Sequence, residues 1–571
     1  MRLTATRSSI TSGGGAVLDA IQQEDPTLDL QFSENKTLTD DVSGNNLVTF
    51  TRASSGTYVG SDGLIKTTPV NLKTYSNDFS QEWGTGGSIL SSNNVDPFGG
   101  NTATRVDLPV TTNRLQINST SVTGVNTFSV YMRHVSGNDQ ITLILQTTPG
   151  ANTGDVVTVT SEWQRFSTTQ DVVSGGGLQI RNNGSASIIE VFGAQLEEGS
   201  TATDYIPTTS TISGAPRFDH DPATGESLGL LIEEARTNEL LYSQEFDNNW
   251  WLKANSVITA NAATSPAGDT TAEQLTPNAV NNTFSVYKSV PFTSGNTYTQ
   301  SIFAKANTYS VIGLEEHTNS GGAKVTSFDL SNGTVGVVNA AHTASIKDFG
   351  NGWYRCSITY SCTETANDFV AVRILETINT GSASWTADGT SNLYFWGAQL
   401  EEGSFPTSYI PTSGSTVTRA ADVVEITGAD FSSWFNTSEQ QGTVFTEVAT
   451  KGISGINAAF AIGSNNDSDR WLQQYFKTSS VFYEYEQGSP PAHSYTVGTF
   501  IKSAIGRSQG DNAVGLNGAI VQTDSHSGTY TPEFLKIGVS AVVDRRLNGH
   551  IKRLSYFPTR LPDATLQNIT S

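Results

Sequence analysis

Three features of the sequence predict an all-β chain built from several sandwiches. Apolar residues rarely recur at the 3.6-residue helical spacing, short alternating segments bounded by Gly, Asn, Asp and Ser recur throughout, and one block of sequence occurs twice. At roughly 100 to 200 residues per domain, 571 residues also exceed one compact core.

The repeat organises the chain. GAQLEEGS stands at 193–200 and at 397–404, and Tyr-Ile-Pro-Thr follows each copy, at 205–208 and 409–412, so both elements lie 204 residues apart. Upstream, Trp163-Gln164-Arg165-Phe166 matches Trp353-Tyr354-Arg355-Cys356 at 190, and Ser129-Val130-Tyr131 matches Ser301-Ile302-Phe303 at 172. Tyr75-Ser76 with Phe79 matches Tyr242-Ser243 with Phe246 at 167, so the successive differences are 5, 18 and 14. Blocks that hold while the stretches between them lengthen are strands joined by surface loops. Two copies of one β-sandwich module follow, 71–210 and 242–412, and the longer loops make the second copy the expected specialised surface.

The remaining segments are read in order. Residues 1–27, with Gly13-Gly14-Gly15 and few bulky apolar side chains, read as an arm that orders against a partner. In 28–70, Leu28, Leu30 and Phe32 alternate as a strand, and Tyr58-Val59 and Leu64-Ile65 flank the hairpin signal Gly60-Ser61-Asp62-Gly63. In 211–241, the turn Asp219 to Gly225, with His220 as a hydrogen-bonded turn residue, precedes the apolar run Leu228 to Ile232. The final domain, 413–571, is sheet-rich. Leu535, Ile537, Val539 and Ala541 share one strand face, Val481, Tyr483 and Tyr485 another, and Tyr495, Val497, Ile501 and Ile505 continue the pattern.

Composition excludes some functions. Lys and Arg number 32 against 54 Asp and Glu, a net charge of −22 on a chain 15% charged. Too few cations are present for sequence-independent nucleic-acid binding or docking on an anionic bilayer, and no apolar run is long enough to span a membrane. Neutral glycans or other protein subunits fit better. Met1-Arg2-Leu3-Thr4 leads into Ser and Gly, so no Sec signal is expected. Cys356 and Cys362 read as two thiols buried in a core, although a bridge between a strand and its hairpin partner is the alternative.

Three strings resemble those of tailed-bacteriophage virion proteins of the tail-fibre or minor structural kind: Val48 to Thr67, Pro216 to Asn238 and Phe395 to Thr412. In that group the first two strings lie close together. The resemblance therefore implies a discontinuous base domain, 28–70 plus 211–241, with the first sandwich inserted. The repeated modules are similar to jelly-roll carbohydrate-binding modules, and Leu547 to Thr570 resembles the end of a concanavalin A-like or laminin G-like sandwich. The implied protein is a virion appendage, tail-fibre-like or receptor-binding, that adheres multivalently to host surface glycans. Its implied partners are other virion proteins, through the arm, and copies of itself in a homotrimer. Capsid decoration, or a head fibre, is the alternative role.

Candidate ligand-binding residues are Trp250, Trp251, Glu484 and Glu486. Adjacent residues of a strand point to opposite faces, so an extended Trp250-Trp251 puts one ring outside the core, as a sugar platform or an interface. Trp163, Trp353 and Trp396 read as core. Glu484 and Glu486 share a strand face, as catalytic acids of concanavalin-like glycosidases do, but the third carboxylate of that pattern is absent. Polysaccharide depolymerisation is thus a second alternative, and no enzyme activity is expected. The Glu pairs 197/198, 233/234 and 401/402 follow apolar runs and precede turns, and one residue of each repeat pair (197/198, 401/402) is read as facing inward, onto backbone groups or onto the structural calcium that jelly-roll sugar modules carry. No residue set is named as a metal site and no cofactor is expected.

Overall fold

The computed structural model describes residues 19–85, 88–110, 114–151, 154–319, 322–453, 455–464, 470–484, 492–525, 528–541 and 545–571. The protein is all-β and divides into two compact units, one of residues 50–227 with 231–423, the other of 19–49 with 228–230 and 424–571.

The first unit holds both repeat copies. In copy one, a sheet ordered Gln164–Val172, Gly124–Gly137, Ser187–Glu198, Ala103–Leu108, Ser88–Asn94 faces one ordered Asp155–Thr158, Gln140–Leu145, Leu178–Asn182, Arg114–Ile117, Gly84–Thr85. Phe128, Val130, Met132, Leu143, Ile180 and Val191 fill the space between them. Copy two repeats this with six strands per sheet, and its longest insertion carries the added hairpin Lys324–Asp329 to Thr334–Val335. Both copies share a bulge. Gly193 and Gly397 each sit at φ 64, where the register slips between Ser129 and Tyr131 and between Ser301 and Phe303. That backbone conformation, and the flanking rings of Tyr131 and Tyr205 or of Phe303 and Tyr409, leave room only for glycine.

Each sandwich leaves and rejoins the base through a short antiparallel pair: Val70–Asn71 with Ser213–Gly214 for copy one, and Arg236–Asn238 with Val417–Arg419 for copy two. The second sandwich is therefore an insertion as well, and 413–423 returns to the base instead of opening the C-terminal domain. The expected hairpin forms, Thr57–Val59 pairing with Ile65–Thr67. His220 ends the strand Phe218–His220 instead of lying in the turn, with Nδ1 3.1 Å from the Val59 carbonyl oxygen.

The second unit is a two-sheet sandwich. Leu28–Leu30 pairs with Gly549–Phe557, followed by Gly442–Thr450, Ile501–Arg507, Asn512–Leu516 and Ala519–Asp524. The other sheet runs Val423–Thr427, Phe534–Ile537, Ile456–Gly463, Arg470–Lys477, Ser480–Glu484, His493–Ser494. Residues 28–49 thus belong to this sandwich, not to the base. From Asp19 onward the expected arm is already seated here, with Ile21 packed among Phe445, Leu561 and Leu566. Three local expectations are corrected. Phe32 starts the helix Phe32–Asn35, Gly538 at φ 70 ends the strand after Ile537, and Val497 lies exposed outside any strand.

Candidate functional site

The most conspicuous motifs prove to be scaffold. In GAQLEEGS the Gln and first Glu fold back onto the following loop. Gln195 accepts from the Ile206 amide (2.8 Å) and Gln399 from the Ile410 amide (2.7 Å), while Glu197 and Glu401 accept from the Thr203 and Thr407 amides at 2.9 and 2.6 Å. Both Glu residues are fully buried and bind backbone groups, whereas Glu198 and Glu402 are exposed. In the Tyr-Ile-Pro-Thr strings, the Tyr205 and Tyr409 hydroxyls each lie 2.6 Å from a serine, Ser76 and Ser243. Asn71 and Asn238 complete the latch by donating to the Ile206 and Ile410 carbonyls at 2.8 and 2.9 Å. This pair, also 167 apart, is a repeat element that single-residue matching does not reveal.

A second buried network explains the other two virion-like strings. Arg52, Arg217 and Arg419 meet Glu233 and Asp422 at the base, all fully buried. Arg52 reaches Asp422 at 2.9 Å, Arg217 reaches Glu233 at 2.8 Å and Asp422 at 2.5 Å, and Arg419 reaches Glu233 at 2.6 Å. Three guanidinium groups outnumber two carboxylates, so further N–H groups go to Thr68 Oγ1 and the Ser54, Ala215 and Thr57 carbonyls. Burial pulls the Arg52 guanidinium down to about 10 against the opposing pull of Asp422. Burial alone raises the Asp422 carboxyl, but Arg217, Arg52 and Arg419 hold it below the ordinary range. With all five groups buried, the hub binds the chain to itself.

The predicted site residues fall as follows. Trp250-Trp251 lies in a turn, not a strand, so the opposite-face premise does not apply. Trp251 is 2% exposed and donates from Nε1 to the Tyr242 carbonyl (2.8 Å). Trp250 is half-buried, with Lys288 Nζ 4.8 Å from its ring centroid and Trp251 edge-on at 4.9 Å. Among the presumed core rings Trp353 and Trp396 are buried, but Trp163 is half-buried beneath the Arg133 guanidinium. Glu484 ends the strand Ser480–Glu484, its side chain is outside the described set, and Glu486 lies outside the described residues. Cys356 and Cys362 are buried free thiols.

For calcium, the described residues hold no group of three acidic, His or Cys ligands. Three turn carbonyls that converge, of Asp247, Asn248 and Trp251, instead accept from the Lys253 ammonium at 3.0, 2.8 and 3.0 Å. Beside them, burial and then Asp247 push the Glu273 carboxyl up to about 8.

The structure brings together a set that sequence reasoning missed, on the outer face of the sheet holding Phe284–Phe292, Ala366–Ile374 and Val311–Glu316. Register places Tyr287 opposite Ala371 and Ala371 opposite Glu315, with Arg373 and Phe369 two residues to either side. Tyr287 and Phe369 meet edge-on at 5.5 Å, and His317 approaches Phe369 at 5.6 Å. Glu315, buried, is ion-paired with Arg373 and bonded to the His317 ring. Phe369 remains 38% exposed and Leu252, opposite Tyr287 on the edge strand, 44%. The exposed Phe369 ring, with Tyr287 half-buried at its edge, can stack on the CH face of a sugar, held in place by the buried ion pair beside it. Copy one has Ile144 and Gln179 on the matching strands, without the rings. The only signal in the sequence was the longer loops of copy two, since these side chains come from strands about 80 residues apart.

No family model matches this chain, and no curated protein matches it. Among solved structures, the chain is similar to the CBM40 domain of a Ruminococcus gnavus IT-sialidase, at 15% identity over 24% of this chain and 85% of that one, TM-score 0.22. It is also similar to the tandem CBM22-1-CBM22-2 domains of Paenibacillus barcinonensis Xyn10C, at 10% identity over 59% of this chain and 98% of that one, TM-score 0.22. A heptameric SAP-like pentraxin from Limulus polyphemus matches at 16% identity over 23% and 70%, TM-score 0.20.

Proposed function

We propose that this protein is a glycan-binding adhesin of a tailed-bacteriophage appendage, and that its second sandwich holds the sugar on the Tyr287–Phe369 face. The observation that carries the glycan reading is the exposed Phe369 ring, met edge-on by the half-buried Tyr287, beside the Glu315–Arg373 ion pair. The appendage rests on the three strings and on the unusually uncharged, polar surface. Binding at one such face is shallow, so adhesion comes from copy number: weak contacts on a shared particle add as effective concentration. No step of chemistry is assigned, and other virion proteins, copies of the chain and a host surface glycan are its proposed partners.

The test is a glycan array probed with the full chain, followed by titration of the best hit. Phe369→Ala with Tyr287→Ala weakens binding at least about tenfold without changing the melting profile. An array without hits, or affinity unmoved by the double variant, overturns the glycan reading. Density for this chain over capsid lattice contacts in electron microscopy of the particle replaces the adhesin with a decoration role.

A further inference from the structure

The two sandwiches share a second face, which one covers and the other leaves open. In copy two the rings of Phe303, Trp353, Trp396 and Tyr409 form a cluster sealed by Ile65 of the base hairpin, and all four are at most 4% exposed. The hairpin is held by its backbone too, because the Ile65 amide donates to the Pro266 carbonyl at 2.9 Å. Copy one has aromatic rings at the same four positions, Tyr131, Trp163, Phe192 and Tyr205, and among the described residues no hairpin lies over them. Three of these rings are half-buried instead of buried. Pro97 stands where Pro266 does, followed by Gly99 at φ 87 and Gly268 at φ 86, so the two loops share one conformation. Among the described residues no donor reaches the Pro97 carbonyl. Phe98 takes the position of Ala267, meets Tyr131 at 5.6 Å, and is 64% exposed.

We infer that this face of the first sandwich is a docking site for a β-hairpin of a partner protein, seated as Thr57–Thr67 is seated on the second. The hairpin sets one aliphatic side chain against Phe98 and the rings beside it and donates one amide to Pro97. Charge gives the partner a further property. Arg105 and Arg133 flank the rings, both paired to the single buried Glu190, with side chains 39% and 30% exposed. In copy two the base turn places Asp221 3.5 Å from Lys347 at the matching face. In copy two that carboxylate comes from the turn beside the hairpin, so the partner carries one next to its hairpin as well.

The probe is a synthetic peptide of residues 55–69 of this chain, carrying Thr57→Cys and Thr67→Cys at positions that pair directly, and closed by a disulfide. NMR first establishes that it is a hairpin. Titrated into the full chain, it binds saturably, Phe98→Asp in the chain weakens binding at least about tenfold, and Ile65→Asp in the peptide abolishes it. Val257→Asp, at an exposed position of the second sandwich, changes nothing. The inference fails if the folded hairpin does not bind, or if it binds the Phe98→Asp chain equally well. It also fails if Phe98→Asp splits a self-associated chain in sedimentation, because the occupant is then a second copy.

Discussion

The first and second sandwiches are built on one latch and finished differently. Both fix the bulge glycine at the same φ, both fold Gln and Glu onto the following loop, and both close with a Tyr–Ser contact of 2.6 Å. Their surfaces diverge: copy two has one face sealed by the base hairpin and another carrying the exposed Phe369 ring, whereas copy one leaves its aromatic face to Phe98. Duplication preserved what holds the sheets in register and released what faces outward. The most repeated strings in such a chain are therefore a poor guide to its binding sites.

The comparison breaks most severely at the hub from which both sandwiches hang. Asp422→Asn leaves three buried guanidinium groups facing one carboxylate, and costs about 3–5 kcal/mol in chemical denaturation. Ile65→Ala tests the covered face. It uncovers the rings of copy two and lowers the stability of that sandwich by about 2–4 kcal/mol, whereas Phe98→Ala at the open face changes stability by less than about 1 kcal/mol.

The bulge sharpens what is common. Gly193→Ala and Gly397→Ala, at the same φ, each destabilise by roughly 1–2 kcal/mol, and a large inequality between them argues against a shared latch. The gentlest test is pH. Glu273 sits in copy two where copy one has Thr104, and its carboxyl is raised from 4.5 to about 8 in the folded protein. Between those values the native state holds a proton that the unfolded state lacks, so stability falls as pH rises through this window. Glu273→Gln removes that decline, measured as the melting temperature of the second sandwich between pH 5 and pH 9, and leaves the first sandwich unaffected.

Much of the fold was legible in the sequence, and little of the site. Alternation and the spaced repeat give strands and modules because ladders forbid insertions. The hairpin at Gly60-Ser61-Asp62-Gly63 follows from turn chemistry alone. Long-range pairing is less accessible. Leu28–Leu30 joins a strand more than 500 residues away, and Trp250-Trp251 has the local look of a strand while Asn248 and Asn249 turn the chain there. The candidate face was hidden for the same reason. Tyr287, Glu315 and Phe369 have ordinary neighbours in the chain and become a site only when the sheet registers three strands side by side.

The paired strands at the root of each sandwich have an evolutionary consequence. Because Asn71 lies directly against Ser213, and Asn238 against Val417, each module is joined to the base by two chain ends one strand spacing apart. A domain whose termini meet at that distance fits the first socket without disturbing the charge network beneath, whereas the second sandwich lends that network Ser408, bonded to Arg217, Arg419 and Glu233. The base is in this sense an adapter with one exchangeable cartridge, and a lineage carrying it can replace the first sandwich while keeping the second and the mount intact.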